Sequence, residues 1–548
     1  MLGRMMNWPL TIAHLLDRAE LFYAKSEVVS VRPDKSKTRA TYADFATRAK
    51  KLAQALRSLG VKEGDRVATL SWNHQQHLEC YFAVPAMGAV VHTLNLRLYH
   101  DEIGYIANHG QDSVVIVDQC LLPLFDKFKA QIKSLKHVIV VKDTDAPLPA
   151  ANETPVHDYE ALIAKQTTVD FHWPTLDENT AAMLCYTSGT TGNPKGVLYS
   201  HRSIMLHAMV ASLSNCLGCG ITDVVLPVVP MFHACAWGLP YIAVLNGAKL
   251  AFPGPHLDPV SLLSLMESER VSLAGGVPTI WLGILATLDA DPKKFDLSAM
   301  RTMAIGGSAA PAAMMEGFKK RHGLDVTHAW GMTETSPVGT VARVKPHLRG
   351  DIDHEMPVRQ TQGFATPLVE TRHVNEAGEI LPWDGEAMGE LEVRGPWVAA
   401  SYFGDEGKDR YITGPDGKQW FKTGDVVKID PEGYVTITDR EKDVIKSGGE
   451  RISSVAIENA LMSHPAVLEA AVFAAKHPKW SERPVAAIVF KPGQSATDDE
   501  LAQHIAPKLV KYGLPDKYLR LDAIPRTSTG KFLKSKLRAD HGDVLMKE

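Results

Sequence analysis

The sequence predicts an α/β protein in two unequal parts. A large N-terminal domain of layered α/β subdomains occupies residues 1–438, a linker 439–443, and a small C-terminal α+β domain 444–548. Three observations carry that expectation. At 548 residues the chain exceeds what one hydrophobic core organises, and domains of about 150 residues suggest two to four units. Through roughly residue 435, short β-rich runs alternate with longer helical ones. Near Asp439 the pattern gives way to DREKDVIKSGGERIS, charged, glycine-containing and poor in apolar residues.

Each element follows from its local pattern. VATLSW then HLECYFAVPAMGA, and SVVIVD then LLPLFDKFKAQIKSL, read as strand followed by helix. AAMLCY and GVLYSH, flanking a glycine-rich loop, read as strands. The apolar stretch 224–252 contains Pro227, Pro230, His233, Pro240, Asn246 and Lys249, too many interruptions for a bilayer span, and reads as buried interior. If 232–241 begins a helix, His233 and Trp237 share a face. GYVTIT at 433–438 alternates like a strand. Beyond the linker, Ile457, Ala460 and Leu461 lie at helical spacing in a segment that stops at His464-Pro465, and EAAVFAAKH and PVAAIVFKPG read as strands. Thr497 with Glu500 forms a capping box for a helix carrying Leu501, Ile505 and Leu509 on one face.

Composition narrows the function classes. With 45% hydrophobic and 22% charged residues the chain has a core to build, and a net charge of −4 supplies no basic field for a nucleic-acid backbone. Six scattered cysteines (Cys80, Cys120, Cys185, Cys216, Cys219, Cys235) form no disulfide framework and point to the cytoplasm. Cys216 and Cys219 have C-x-x-C spacing, but no second Cys or His pair stands at ligand distance, so they read as structural. Asp17, Arg18 and Glu20 interrupt the N-terminal segment before any signal-peptide core, so secretion is not expected.

The string Tyr186-Thr187-Ser188-Gly189-Thr190-Thr191-Gly192-Asn193-Pro194-Lys195-Gly196 carries the clearest chemistry. Its glycines free the backbone, its hydroxyls and amides donate to phosphate oxygens, and Lys195 adds a point charge. It departs from the Walker pattern, since Pro194 stands before Lys195 where Gly is required, and its flanks read as strands where a Walker loop opens a helix. The reading is a strand-loop-strand phosphate grip.

Four further strings accompany it: HAWGMTET (328–335), WFKTGDVVKID (420–430), DREKDVIKSGGERIS (439–453) and PRTSTGK (525–531). Together they resemble the AMP-forming acyl-CoA synthetase family, the adenylate-forming enzymes that include luciferase, in order and spacing over nearly the whole chain. PMFHACAWGLPY and HPKWSERPVAAIVF look most like its short- and medium-chain fatty acyl-CoA ligases and its 3-methylmercaptopropionyl-CoA ligases. The resemblance implies an adenylate-forming N-terminal domain, a mobile C-terminal domain, and two steps: a carboxylate attacks the α-phosphate of ATP to give acyl-AMP and pyrophosphate, then CoA thiol displaces AMP.

It also implies roles. Thr187, Ser188, Gly189, Thr190, Thr191, Gly192 and Lys195 would hold the triphosphate, with Mg²⁺ near Glu334 and a hydroxyl of Thr187 or Thr190. Thr333 would contact the α-phosphate, and Lys531 would bridge the acyl carboxylate and phosphate, which suits a flexible ammonium. His328, Ala329 and Trp330 would lie on the nucleotide, with adenine stacked on Trp330 and Gly307, Ser308 and Ala309 as the opposite wall. Asp425 would receive the ribose hydroxyls and Arg440 add a second contact. Lys442 matches the pivot of domain rotation, after which Ser447, Gly448 and Gly449 would line the pantetheine entrance, and Arg451 matches a position that in some relatives contacts phosphate. His233 and Trp237 would border the acyl group, with Gly276, Val277 and Met332 opposite. His233 suits a gate or carboxylate neighbour better than a general base, because the nucleophile has no proton to lose. The indole of Trp237 would shorten the tunnel, favouring methylthiopropionate or butyrate to hexanoate.

Two other readings share these motifs: adenylation with transfer to a non-CoA acceptor, a carrier-protein phosphopantetheine or oxygen, and a catalytically silent nucleotide-binding regulator. The intact Lys195, Glu334, Asp425, Arg440 and Lys531 argue against the second. A homodimer is expected by analogy with relatives.

Overall fold

The computed structural model describes residues 1, 3–149, 154–187, 193–447, 450–509, 511–527 and 531–546, without the side chains of 405, 450, 451 and 511. Among these residues four sheets form the frame. In one, strands His137–Val141, Asp112–Asp118, Arg66–Leu70, Val90–Thr93 and Ala181–Tyr186 run parallel, and Gly196–Ser200 closes an edge antiparallel to Ala181–Tyr186. In the largest, Glu27–Val31, Lys249–Phe252, Val224–Pro227, Leu273–Gly276, Thr302–Ile305 and Val326–Gly331 are parallel, with antiparallel strands at both ends. The strands are rich in Val, Ile and Leu, as burial on both faces requires. Leu52, Phe82 and Ile242 of three intervening helices join Met183 and Val225 of the two sheets in one apolar cluster.

A third, antiparallel sheet contains Gly389–Arg394, Gln419–Ile429 and Val435–Arg440. The fourth pairs Val467–His477 with Ser481–Phe490. Along Val467–His477 the two-residue period splits the side chains: Ala470 and Val472 meet Ile457, Leu461, Leu501 and Ile505, whereas Ala471, Phe473 and Ala475 meet Leu537 of helix Lys534–His541. The fold is therefore α/β, with a large N-terminal and a small C-terminal domain. Strand Val435–Arg440 leads directly into residues 441–444, and the next strand begins at Ile445.

Three local expectations need correction. Residues 119–131 form not one helix but two 3-10 turns around the short helix Leu122–Phe125. Phe125, Phe128 and Ile132 reach the core from separate turns, so packing overrides the helical pattern. The capping box at Thr497 and Glu500 is present, but Leu509 lies past helix Asp498–Ile505, because a 3-10 turn containing Pro507 ends it. Residues 234–237 are not right-handed helix: Ala234, Cys235, Ala236 and Trp237 have φ of 40°, 56°, 47° and 57°, and the α-helix starts only at Leu239. His233 and Trp237 therefore do not share a helical face. Left-handed backbone costs L-residues roughly 1–2 kcal/mol each, and burial of all four side chains holds it in place. Cys216 and Cys219 are buried free thiols, pushed up to about 11 and about 12 by burial, and among the described residues no group of three or more His, Cys, Asp or Glu could hold a metal.

Candidate active site

The carboxyl ends of the parallel strands Val224–Pro227, Leu273–Gly276, Thr302–Ile305 and Val326–Gly331 open on one side of their sheet, where α/β proteins bind ligands. The root of the glycine-rich loop, Tyr186 paired with Gly196, faces them from the other parallel sheet. The third sheet supplies Asp425 and Arg440, cross-strand partners.

Between them lies a cleft of about 670 Å³. Thr187 and Lys195 line its loop side, His233, Trp237 and Met332 its floor, and Thr333 and Glu334 the turn after Val326–Gly331. Arg440 enters from the end of strand Val435–Arg440, Lys442 from the turn after it and Lys531 from the C-terminal domain. An adjoining cavity of about 210 Å³ is lined by Gly307, Ser308, Ala309, His328, Ala329, Trp330 and Asp425. The structure thus gathers residues separated by more than 300 positions.

Their bonds are specific. The Trp330 indole N–H donates to Asp425 Oδ2 at 2.8 Å, and Arg440 Nε stands 3.4 Å from Asp425 Oδ1. Gly339 makes room for the Trp330 ring, which a Cβ there would meet at 2.5 Å. Thr187 Oγ1 accepts from Lys195 N at 3.1 Å, closing the loop's neck. Tyr199 Oη donates to the Thr333 carbonyl at 2.6 Å, and Tyr402 Oη donates to Glu334 Oε1 at 2.5 Å. The Lys195 ammonium sits 5.1 Å from the Tyr402 ring centre.

Electrostatics follow from burial. His233 is pushed down to about 4 by burial, then by the Lys531 and Arg97 charges, so it is neutral at pH 7. Burial also lowers Lys531 to about 8, assisted by Arg440 and opposed by Asp425 and Glu334. Lys442 is lowered for the same first reason. His328 is held neutral, at about 4, by burial. Glu334 and the Thr187 hydroxyl offer oxygen to a hard cation that completes its shell with phosphate and water, and that donor set fits Mg²⁺.

The Trp237 indole lies on glycine: Cβ atoms at Gly275 and Gly306 would meet it at 3.5 and 3.4 Å. Gly276 instead faces Trp281 and Val277 packs against Gly307, and neither of the two lines the cleft, contrary to the expectation that they border the acyl group. Ser447 stands apart, taking a 3.3 Å bond from Arg483. Ser188, Gly189, Thr190, Thr191, Gly192, Gly448 and Gly449 lie outside the described residues, as does the Arg451 side chain. Sequence reasoning missed Tyr402, Tyr199, Gly275 and Gly306. No spacing marks the tyrosines, and Gly275 shows itself only as the neighbour of Gly276.

Residues 17–403 match the AMP-binding enzyme family and residues 456–531 the AMP-binding enzyme C-terminal domain. The chain is 44% identical over 547 residues to a 3-methylmercaptopropionyl-CoA ligase of Ruegeria lacuscaerulensis, covering 100% of each. It is 46% identical to a long-chain-fatty-acid–CoA ligase of Thermus thermophilus, covering 98% of this chain and 96% of that one. The fold matches the crystal structure of the anthranilate CoA ligase AuaEII in complex with anthranoyl-AMP, with a TM-score of 0.86, 24% identity and 99% of both chains covered. Among the described residues no helix is long and apolar enough to cross a membrane.

Proposed function

The chain belongs to the AMP-binding enzyme family, and on that premise we propose how its cleft converts a short- or medium-chain acid, 3-methylmercaptopropionate among them, into its CoA thioester. It is an AMP-forming acid–thiol ligase that uses ATP, Mg²⁺ and CoA. The observation that carries the reading is Lys531, which comes from the C-terminal domain into the cleft that Thr187, Lys195, Thr333 and Glu334 line, where Asp425, Glu334 and Arg440 act on its charge.

An anionic carboxylate must approach an anionic triphosphate, so the site has to neutralise charge and fix in-line geometry. Lys195 and the loop hydroxyls hold the phosphates, Thr333 meets the α-phosphate, and Lys531 bridges it to the carboxylate. Adenine lies between Trp330 and the small residues Gly307, Ser308 and Ala309, and Asp425 with Arg440 receives the ribose. Glu334 and Thr187 would hold Mg²⁺, whose charge when bound there would screen the phosphates. His233, neutral, borders the carboxylate without repelling or protonating it. After pyrophosphate leaves, the C-terminal domain turns about Lys442 within 439–443, withdrawing Lys531 and bringing Ser447, Gly448, Gly449 and Arg451 to the thiol entrance. The relatives named above differ in acid length, and the indole of Trp237 on its glycine bed supports the shorter end of that range. Six free thiols support a cytoplasmic enzyme. A homodimer rests on the family analogy, and light scattering measures it.

The test is pyrophosphate release and thioester formation across acids from acetate to palmitate, with methylthiopropionate included. Lys531→Ala lowers adenylation about 10²–10³-fold while sparing thioester formation from supplied acyl-AMP. Equal loss in both half-reactions overturns the assignment.

A further inference from the structure

The turn that carries Glu334 is clamped by a segment the motifs do not include. Ser336 Oγ donates to the Trp397 carbonyl at 2.8 Å, and Ala399 N donates to the Glu334 carbonyl at 2.8 Å. Tyr402 Oη donates to Glu334 Oε1 at 2.5 Å, the length of a charge-assisted bond. Residues 397–402 therefore hold both the backbone and the carboxylate of Glu334. The same tyrosine presents its ring to Lys195. Gly407 borders both the ammonium and the ring, and its φ of +60° and missing side chain leave the space: a Cβ there would stand 2.8 Å from Lys195 Nζ and 2.9 Å from the ring. Tyr402 is buried and lines the cleft.

We propose that Tyr402 is a positioning residue that seats, from one side chain, the carboxylate that shares the divalent cation and the ammonium that meets the phosphates. The inference rests on the ATP and Mg²⁺ reading of this cleft. Its physical basis is rotamer control. With Oε1 engaged by the phenol, the Glu334 carboxylate cannot turn its face, and Oε2 is the oxygen left for the metal. The ring gives Lys195 a seat of modest strength, firm enough to order a long side chain and weak enough to release it to phosphate. Tyr402 touches neither nucleotide nor metal in this role and acts through the two residues it orders.

The experiment separates that role from general packing. Nucleotide binding is followed by intrinsic tryptophan fluorescence while Mg²⁺ is titrated at fixed ATP, alongside pyrophosphate release. Tyr402→Phe keeps the ring and loses the hydroxyl. It is expected to raise the half-saturating Mg²⁺ concentration roughly tenfold and to leave Mg²⁺-free ATP binding unchanged. Tyr402→Leu loses the ring too and is expected to weaken Mg²⁺-free ATP binding by roughly threefold. Glu334→Gln runs in parallel. If it raises the Mg²⁺ requirement and Tyr402→Phe does not, the role of Tyr402 is overturned while the cleft reading stands. If neither variant moves the requirement, the reading beneath the proposal is overturned as well. A uniform fall in turnover with an unchanged Mg²⁺ titration makes Tyr402 a packing residue and overturns the proposal.

Discussion

Lys531 illustrates how one side chain's surroundings set its working range. Lowered to about 8 by burial and by Arg440, it is charged below that pH and neutral above it. In the proposed mechanism adenylation needs the ammonium, so kcat/KM for the first half-reaction is expected to fall as pH rises through about 8. Lys531→Arg, which stays charged at every accessible pH, should erase that limb even where it lowers the rate. A limb that persists in the arginine variant assigns it to another group. His233, already neutral at pH 7, contributes no limb between pH 5 and 8. The length-setting role proposed for Trp237 is tested at the same scale. Trp237→Ala removes the indole from Gly275 and Gly306, and the ratio of kcat/KM for octanoate over butyrate should rise roughly tenfold. An unchanged ratio would return the indole to a packing role. The meeting of Lys531, Glu334 and Asp425 in one place was legible because their strings carry the family's order. Tyr402 was not, since its value lies in reaching Glu334 across 68 positions, which no local spacing records.

At the scale of elements, the strands were the most legible part. Val467–His477 and Ser481–Phe490 announce themselves by β-branched and alternating residues, and the Thr497 capping box by two side chains three apart. The left-handed turn at 234–237 could not be read. Ala, Cys, Ala and Trp have no preference for positive φ, and only Gly238, at φ +75°, hints at it. The turn stands because tertiary packing outweighs backbone preference, with Ala236 and Leu239 wholly buried. That gives Ala236→Gly an unusual expected sign. In ordinary helical backbone, glycine in place of alanine costs about 0.5–1 kcal/mol. Here relief of the left-handed conformation offsets the loss, so the urea midpoint should hold or rise. A drop of more than about 1 kcal/mol would show that the buried methyl outweighs the backbone.

For the whole molecule, the contacts that cross from strand Val435–Arg440 to the C-terminal domain matter most. Asp439 Oδ2 accepts the Ser454 amide at 2.8 Å, at the start of helix Ser454–Met462, and the Ser453 hydroxyl donates to the Thr438 carbonyl. A carboxylate at a helix N-terminus is favourable, and losing such a cap costs about 1 kcal/mol. Asp439→Ala should therefore shift the population away from the arrangement described here by about fivefold. Adenylation should slow by up to that factor, while thioester formation from supplied acyl-AMP holds or quickens. Equal slowing of both half-reactions would mean that Asp439 supports only the fold. The two-part organisation was visible from composition around Asp439, but not the strand's continuation to Arg440, because charged residues hid a β-ladder whose partner lies in Gln419–Ile429.

That ladder has a mechanical consequence. Asp425 and Arg440 are opposite rungs, and the proposed pivot at Lys442 lies two residues beyond Arg440. On the proposed roles, sugar recognition and swivelling share one stiff beam, so a nucleotide that tightens its hold on the first rung braces the fulcrum. The arm then turns with the adenylate still in place, about an axis that the sugar itself steadies, and an analogue lacking ribose hydroxyls would leave that axis loose even when its base and phosphates are fully seated.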